Sequence, residues 1–146
     1  MENDRETNEA AIRDLIDGYV RAVRAKDIEG VMSVYAPDLV AFDVVPPLQY
    51  VGAAAFGKVW QDVFETFQGP IPYEVRDLTI TAGDDVAFSH SLIRNNGTTK
   101  SGQTVDLWLR WTACYRKING EWRIAHLQAS LPVDLRTGKA AMDLKP

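Results

Sequence analysis

Hydrophobic residues in the first third of the chain recur every three or four positions, which is the spacing of one helix face. Thr7 is the expected N-cap of this first helix, because its hydroxyl can accept a hydrogen bond from a free backbone N–H. Asp27 is placed to cap a second, shorter helix that Pro37 stops. The apolar residues of the first helix are Ala11, Ile12, Leu15, Ile16, Tyr19, Val20 and Val23.

A third helix is predicted after Gly52, where a helical stripe of apolar residues includes Trp60 and Phe64. The rest of the chain favours β-structure, in apolar segments separated by short turns that contain glycine. Asn119 and Gly120 form the dipeptide preferred in a two-residue hairpin turn. The predicted strands are Leu39–Val45, Tyr73–Thr81, Val86–Arg94, Gln103–Ile118 and Glu121–Leu131.

The order of these elements predicts an α+β fold, in which three N-terminal helices pack on one face of a curved antiparallel sheet. A chain of 146 residues fits one domain. We expect that domain to span residues 7–133, followed by a C-terminal tail at 134–146.

The last hairpin determines which side chains share a face of the sheet. Pairing Ile118 with Glu121 separates the residues of both strands into two alternating sets, and alternation alone does not decide which set is interior. We expect the set with Arg110 to be interior, where Arg110 faces Asp43, an anionic substrate or a structural salt bridge, because a buried arginine needs a carboxylate partner. The first set is Arg110, Thr112, Cys114, Arg116, Arg123, Ala125, Leu127 and Ala129, and the second is Trp111, Ala113, Tyr115, Trp122, Ile124, His126, Gln128 and Ser130.

The second set would then form the outer face of the sheet. Three large aromatic side chains and one isoleucine on that face are more apolar surface than a monomer usually exposes. We therefore expect a two-fold homodimer through this face, with His126 in the interface rather than in a catalytic site.

Composition and charge narrow the classes of function. Apolar residues make up 46% of the chain and charged residues 25%, as in an ordinary globular protein, and the net charge of −4 argues against a nucleic-acid partner. No apolar run approaches the roughly 20 residues of a membrane span, and the first six residues are polar and charged. We expect no membrane partner, no secretory signal and a cytoplasmic location. One cysteine and two histidines predict neither a metal site nor a bound cofactor.

Two segments carry a resemblance to a known family: residues 25–31 leading to 35–38, and residues 120–126 leading to 130–132. In these segments, and in the order of its elements, the chain resembles the nuclear-transport-factor-2-like superfamily, which includes ketosteroid isomerases and SnoaL-like proteins. The resemblance covers about Thr7 to Pro132. It implies a cone-shaped sheet wrapped around three helices and open at one end into an apolar pocket.

The same resemblance implies two catalytic residues. The tyrosine of the first helix in ketosteroid isomerases falls on Tyr19, and their catalytic aspartate falls on Asp43 at the end of the first strand. That aspartate removes a proton beside a ketone, while the tyrosine and a neutral carboxylic acid stabilise the enolate. The position of the second acid falls on Cys114 or Thr112, and neither is an acid, which argues against steroid isomerisation.

Further candidates come from strand alternation and from the helix stripes. His90 and Arg94 alternate along one strand in the set that the resemblance places toward the pocket, where His90 would act as a general acid or base. A structural histidine and a solvent-exposed Arg94 are the alternatives. Trp60, Phe64 and Thr112 are expected to contribute to the pocket wall.

We therefore expect a domain that binds a small apolar or polycyclic molecule. Its function would be an isomerase, cyclase or lyase reaction on a carbonyl compound, with Asp43 as base and Tyr19, Arg110 or His90 as electrophile. The alternative is a non-catalytic ligand-binding or dimerisation module with the same pocket.

Overall fold

The computed structural model describes residues 2–146. Its three helices are α1 (Glu2–Arg24), α2 (Ile28–Met32) and α3 (Ala53–Thr66). The apolar stripe predicted for α1 is confirmed, because Ile12, Ile16, Tyr19 and Val23 are all buried. Thr7 is not the N-cap: it lies inside α1 and donates its hydroxyl hydrogen to the Asn3 carbonyl.

The structure contains eight strands, of which the last two form a separate small hairpin. They are β1 (Tyr35–Phe42), β2 (Tyr50–Val51), β3 (Glu74–Ala82), β4 (Val86–Thr98), β5 (Thr104–Ile118), β6 (Glu121–Ser130), β7 (Val133–Asp134) and β8 (Lys139–Ala140). The hairpin of β7 and β8 therefore occupies much of the predicted C-terminal tail.

The main sheet has the strand order β2-β1-β6-β5-β4-β3. All neighbouring strands are antiparallel except β1 and β6, which are parallel. Helices α1 and α2 precede the sheet in the chain, whereas α3 follows β2. Helix α1 contacts β3 and β6, α3 contacts β1 and β2, and the buried core contains residues from helices and strands. The predicted α+β fold class is thereby confirmed.

Strand β1 begins and ends earlier than predicted. Asp27 does cap α2, since its side chain accepts a hydrogen bond from the Gly30 N–H. The helix ends at Met32, well before Pro37, because the chain there joins β6: the Ile124 N–H donates to the Val34 carbonyl at 2.7 Å. Pro37, which has no N–H, lies where the register between β1 and β6 is irregular.

Strand β4 runs past its predicted end at Arg94 and ends at Thr98. Gly97 is paired with Val105 and lies against the ring of Phe67, the residue that follows α3. A Cβ atom at Gly97 would lie 3.0 Å from Phe67 Cδ1, so a larger residue there would require the Phe67 ring to shift. Asn95 and Asn96 therefore lie in a paired strand rather than in a loop.

The two faces of the last hairpin are opposite to the expectation. Trp111, Tyr115, Trp122 and Ile124 are at most 5% exposed and belong to the core, whereas Arg110 is exposed. The physical reason is burial: the aromatic set removes far more apolar surface from water than the arginine-containing set would. The interior placement of Arg110 is therefore wrong.

The pairing of β5 with β6 also departs from a simple hairpin register. Tyr115 lies opposite Ile124 and Cys114 lies opposite His126, so that Ala125 is an extra residue without a partner. Such a β-bulge reverses the alternation of the residues beyond it. His126, Gln128 and Ser130 consequently share the outer face with Arg110, and Leu127 shares the inner face with Ala113.

These placements correct the predicted dimer surface. Trp111, Tyr115, Trp122 and Ile124 form part of the monomer core, and they cannot also contact a second chain. The homodimer itself stays a prediction, which now requires a different surface. Among residues 2–146, no helix is both long and apolar enough to cross a membrane.

Candidate functional site

A cavity of about 180 Å³ lies between the helices and the inner face of the sheet. Most of its wall is aromatic or aliphatic, and the polar exceptions are tyrosine hydroxyls, one aspartate and two asparagines. The residues that line it are Tyr19, Val23, Tyr35, Asp43, Phe56, Val59, Trp60, Val63, Phe67, Ile71, Tyr73, Ile93, Asn95, Asn96, Val105, Leu107, Leu109, Trp111, Leu127 and Ala129.

Tyr19 is at the centre of the aromatic wall. Its ring stacks on Trp111 of β5 with a centroid distance of 5.7 Å and an interplanar angle of 17°. Trp60 of α3 and Tyr73 contact it edge-on, at 5.9 and 5.7 Å. These stacked and edge-to-face arrangements are the preferred geometries of aromatic pairs, and they hold the ring of Tyr19 in one orientation.

Three buried tyrosine hydroxyls belong to this wall. The hydroxyls of Tyr19 and Tyr73 are hydrogen-bonded to each other at 3.0 Å, and the Tyr35 hydroxyl accepts a hydrogen bond from Trp60 Nε1 at 2.9 Å. One of the three hydroxyl hydrogens is used between Tyr19 and Tyr73. The Tyr35 hydroxyl also interacts with that of Tyr19. Three hydroxyl hydrogens thus serve two contacts within the cluster, which leaves a donor available to an oxygen atom of a ligand.

All three tyrosines are held in the neutral form. Burial is the main cause that raises the pKa of Tyr19, Tyr35 and Tyr73 well above the usual value of tyrosine. The negative charge of Asp43, which lines the same cavity, raises the pKa of Tyr35 and Tyr73 further. Neutral hydroxyls keep their hydrogens and can act as hydrogen-bond donors.

Asp43 directly follows β1 and lines the same cavity. One carboxylate oxygen, Oδ1, accepts a hydrogen bond from the Val44 N–H at 2.8 Å. Burial raises the pKa of Asp43, and the hydrogen bond from Val44 offsets part of that rise. A carboxylate with a raised pKa is a stronger proton acceptor than an exposed aspartate.

The structure brings Tyr19, Asp43 and Trp60 to one cavity but places the other predicted site residues elsewhere. His90 and Thr112 are exposed and paired with each other on the outer face of the sheet. Arg110 is also on that face, where its Nε donates to Ser130 Oγ at 3.0 Å. The expectation that these three side chains line the pocket is wrong, because the sheet turns the opposite face inward.

Arg94 and Phe64 are the remaining two predicted pocket residues, and neither lines the cavity. Arg94 is on the outer face and forms a two-point ion pair with Asp106, at 2.8 and 2.9 Å. Phe64 packs behind the cavity wall, with its ring 5.7 Å from that of Trp60.

His126 is not a pocket group either. Its Nδ1–H donates to the Val40 carbonyl at 2.6 Å, and its ring contacts Phe42 edge-on at 4.7 Å. Cys114 lies opposite it on the outer face, and burial raises the pKa of its thiol, so that the reactive thiolate is disfavoured. Among residues 2–146, no three His, Cys, Asp or Glu side chains are grouped so that they could hold a metal ion.

The site contains residues that the sequence analysis missed. Tyr35 and Tyr73 are not among the candidates that the sequence indicates, and Trp111 belongs to the set expected on the outer face. For Trp111 the available signal was hydrophobicity, since the more aromatic of two alternating sets is usually interior. Nothing in the sequence indicates that Tyr73, 54 positions after Tyr19, places its hydroxyl against that residue.

Comparison with known proteins relates the chain to one family. Residues 12–134 match the family model described as a SnoaL-like domain. An NTF2-like protein of unknown function from Pseudomonas putida KT2440 is 37% identical in sequence, and its structure matches with a TM-score of 0.87 over 97% of this chain and 98% of that chain. None of the curated proteins compared with this chain matches it.

Two further solved structures have the same fold. A ketosteroid isomerase-like protein from Erwinia carotovora atroseptica SCRI1043 is 27% identical, with a TM-score of 0.70 over 84% of this chain and 94% of that chain. A nuclear transport factor 2 (NTF2-like) superfamily protein from Salmonella enterica serovar Typhimurium LT2 is 18% identical, with a TM-score of 0.78 over 93% and 99%. At 18% identity, the second likeness shows the fold alone.

Proposed function

The chain belongs to the SnoaL-like domain family, and on that premise we propose that it acts on a neutral carbonyl compound by acid–base chemistry, with Asp43 as the base. The resemblance to this family and to the NTF2-like fold, predicted from the sequence, is confirmed. A fold does not determine an activity. The proposal therefore rests on the cavity and its side chains.

The observation that carries the proposal is the placement of one carboxylate and a cluster of neutral tyrosine hydroxyls in the same apolar cavity. Asp43, Tyr35 and the Tyr19–Tyr73 pair all contribute to its wall, and burial raises the pKa of each. The carboxylate is thereby made more basic, while the hydroxyls stay protonated. These are the two properties that removal of a proton beside a carbonyl group requires.

The proposed reaction begins when the Asp43 carboxylate accepts a proton from the carbon next to the substrate carbonyl. The electron pair of that C–H bond forms a carbon–carbon double bond, and the carbonyl π electrons move to the oxygen atom. The resulting enolate oxygen accepts a hydrogen bond from the cluster of Tyr19, Tyr35 and Tyr73 hydroxyls. Protonated Asp43 then returns the proton to a carbon atom of the enolate, so that the enzyme is restored.

Two further facts support this class of chemistry. A relative that is 27% identical is described as ketosteroid isomerase-like. Among the described residues that line the cavity, none is lysine, arginine or histidine. Neutral hydroxyl donors are therefore the groups that would stabilise negative charge in the transition state. Of the three candidate electrophiles, Tyr19 lines the cavity, whereas Arg110 and His90 are exposed on the outer face.

Exchange of hydrogen for deuterium tests the proposal without knowledge of the natural substrate. The probe is 2-tetralone, a neutral bicyclic ketone, incubated with the protein in heavy water and followed by NMR of its α-carbon protons. Because general-base catalysis contributes about 10²–10⁴-fold in rate, Asp43→Asn should remove most of the protein-dependent exchange. The matched control is Asp38→Asn, which changes an exposed aspartate of the same strand that is bound to Arg116.

Full exchange activity in Asp43→Asn would eliminate Asp43 as the base. Binding of 2-tetralone without any exchange would favour the alternative, a non-catalytic ligand-binding module with the same pocket. Tyr35→Phe serves as a second variant, because loss of one oxyanion donor typically costs about 10²–10³-fold in rate.

A further inference from the structure

The cavity has a second polar region, formed by Asn95 and Asn96 near the end of β4. Its neighbours in the cavity wall are apolar, and they include Phe67, Val105 and Leu107. The proposed reaction makes no use of either asparagine.

The side chain of Asn95 belongs to the inner face of the sheet. Alternate residues of β4, namely Ala87, Ser89, Ser91 and Ile93, are buried, and Asn95 continues this alternation opposite Leu107. No side-chain hydrogen bond of Asn95 is formed within residues 2–146, although a carboxamide carries two donor hydrogens and an acceptor oxygen. A polar group in an apolar wall without a partner is costly unless a ligand or water satisfies it.

The second polar region is far from the proposed reaction centre. Asp43 follows Phe42, which is paired with Gln128, and the next row of the sheet runs from Ala129 through Trp111 to Ser91. Asn95 is four residues beyond Ser91, or about 13 Å along the strand at roughly 3.3 Å per residue. Asp43 and Asn95 therefore lie at different levels of the same cavity wall.

The size and charge of the cavity restrict what can contact both Asp43 and Asn95. An apolar cavity of about 150 Å³ holds a single benzene ring, so that a volume of about 180 Å³ encloses one ring with its substituents. A second ring of the same ligand must extend toward the side of the cavity that opens to solvent. Because the described lining residues include Asp43 but no cationic side chain, an anionic ligand would be repelled and a neutral one is favoured.

We propose that Asn95 determines substrate specificity by binding a neutral polar substituent, such as a hydroxyl group, at the end of the substrate remote from the reacting carbonyl. This inference rests on the proposed function, because the position of the carbonyl at the Asp43 end defines which end is remote. The substrate class is a neutral ketone of one or two rings with a hydrogen-bonding group on the far side.

Calorimetric titration with two ketones tests the inference. The probes are 2-tetralone and 6-hydroxy-2-tetralone, which differ by one hydroxyl group on the ring remote from the carbonyl. A net hydrogen bond corresponds to about a three- to tenfold change in affinity, so the wild-type protein should bind the hydroxylated ketone tighter by that factor. Asn95→Leu should abolish this preference, so that the two ketones bind with equal affinity.

The control variant is Gln128→Leu, which makes the same change from carboxamide to leucine at an exposed position on the outer face. It should keep the full preference for the hydroxylated ketone. Retained binding of 2-tetralone by Asn95→Leu also shows that the variant is folded.

Equal affinity of the wild-type protein for both ketones, or an unchanged preference in Asn95→Leu, would overturn the role of Asn95. A hydroxyl preference that depends on Asn95, combined with no α-proton exchange, would overturn the proposed catalysis and leave the binding site intact. Absence of binding by either ketone would overturn both proposals. Calorimetry separates these outcomes because it measures binding rather than turnover.

Discussion

The inner and outer faces of strands β4, β5 and β6 are built from alternate residues of the same segments, yet they differ in burial and in polarity. On the inner face, Trp111, Ala113 and Tyr115 are at most 3% exposed and pack in the core. On the outer face, Arg110, Thr112 and Arg116 are exposed. The comparison shows that a single-residue step along a strand separates the cavity wall from a solvated surface.

Polar groups on the two faces also differ in their access to water. Outer-face charges form exposed pairs such as Arg94 with Asp106 and Arg116 with Asp38, which contribute little to stability because water screens them. On the inner face, the Ser89 and Tyr115 hydroxyls are hydrogen-bonded at 2.8 Å without access to water. A polar group on the inner face therefore has a larger effect, favourable or unfavourable, than the same group outside.

The largest difference between the faces is expected from truncating adjacent residues of β5. Trp111→Ala removes a buried aromatic side chain and enlarges the cavity, which should lower the free energy of unfolding by about 3–5 kcal/mol. Thr112→Ala, one position along on the outer face, should change it by less than about 0.5 kcal/mol. Urea denaturation of both variants measures the two values, and similar losses for the two would contradict the assignment of the faces.

An intermediate effect is expected from two serines that share the inner face of β4. Tyr115→Phe leaves the buried Ser89 hydroxyl without its partner and should cost about 1–3 kcal/mol of unfolding free energy. The Ser91 hydroxyl is buried without a partner among the described residues, so Ser91→Ala should cost nothing or gain about 1 kcal/mol. Thermal unfolding distinguishes these signs, and a large loss in Ser91→Ala would reveal a partner for that hydroxyl.

The smallest effects concern two aspartates whose pKa values shift in opposite directions. Burial raises the pKa of the Asp43 carboxyl group in the folded state. The stability that its protonated form contributes is therefore fully present below the unfolded pKa, near about 3.9, and is lost as the pH rises through the folded pKa. Asp43→Asn should therefore have the stability of the wild type in acid and be more stable at neutral pH. The melting temperature is measured from about pH 3 to about pH 8, a range in which Asp43 changes from its protonated to its ionised form.

Asp106 on the outer face provides the opposite case. The hydrogen bond from Arg94 lowers the pKa of Asp106, so its contribution is present above the unfolded pKa and is lost as the pH falls through the folded pKa. Asp106→Asn should melt lower than the wild type at neutral pH and converge with it in acid. Shifts of the same sign in both variants would contradict the different environments of the two carboxyl groups.

Local features of the sequence determined most of the secondary structure and the fold class. The apolar stripe from Ile12 to Val23, the Asp27 cap and the turn at Asn119 and Gly120 depend on residues close together in the chain, and all three are present in the structure. The family resemblance placed Tyr19 and Asp43 in positions that the structure assigns to one cavity. Their catalytic roles stay predictions.

Strand alternation left open which face of the sheet became the cavity wall, and burial of the more aromatic set in the folded chain decided it. Strand alternation sorts residues into two sets but carries no information about which set meets the helices, and the bulge at Ala125 changed the membership of the sets beyond it. The hydrogen bond between Tyr19 and Tyr73 and the presence of Asn95 and Asp43 in one cavity likewise depend on packing between distant segments. Such contacts follow from the burial of the whole apolar surface, which no local pattern of residues specifies.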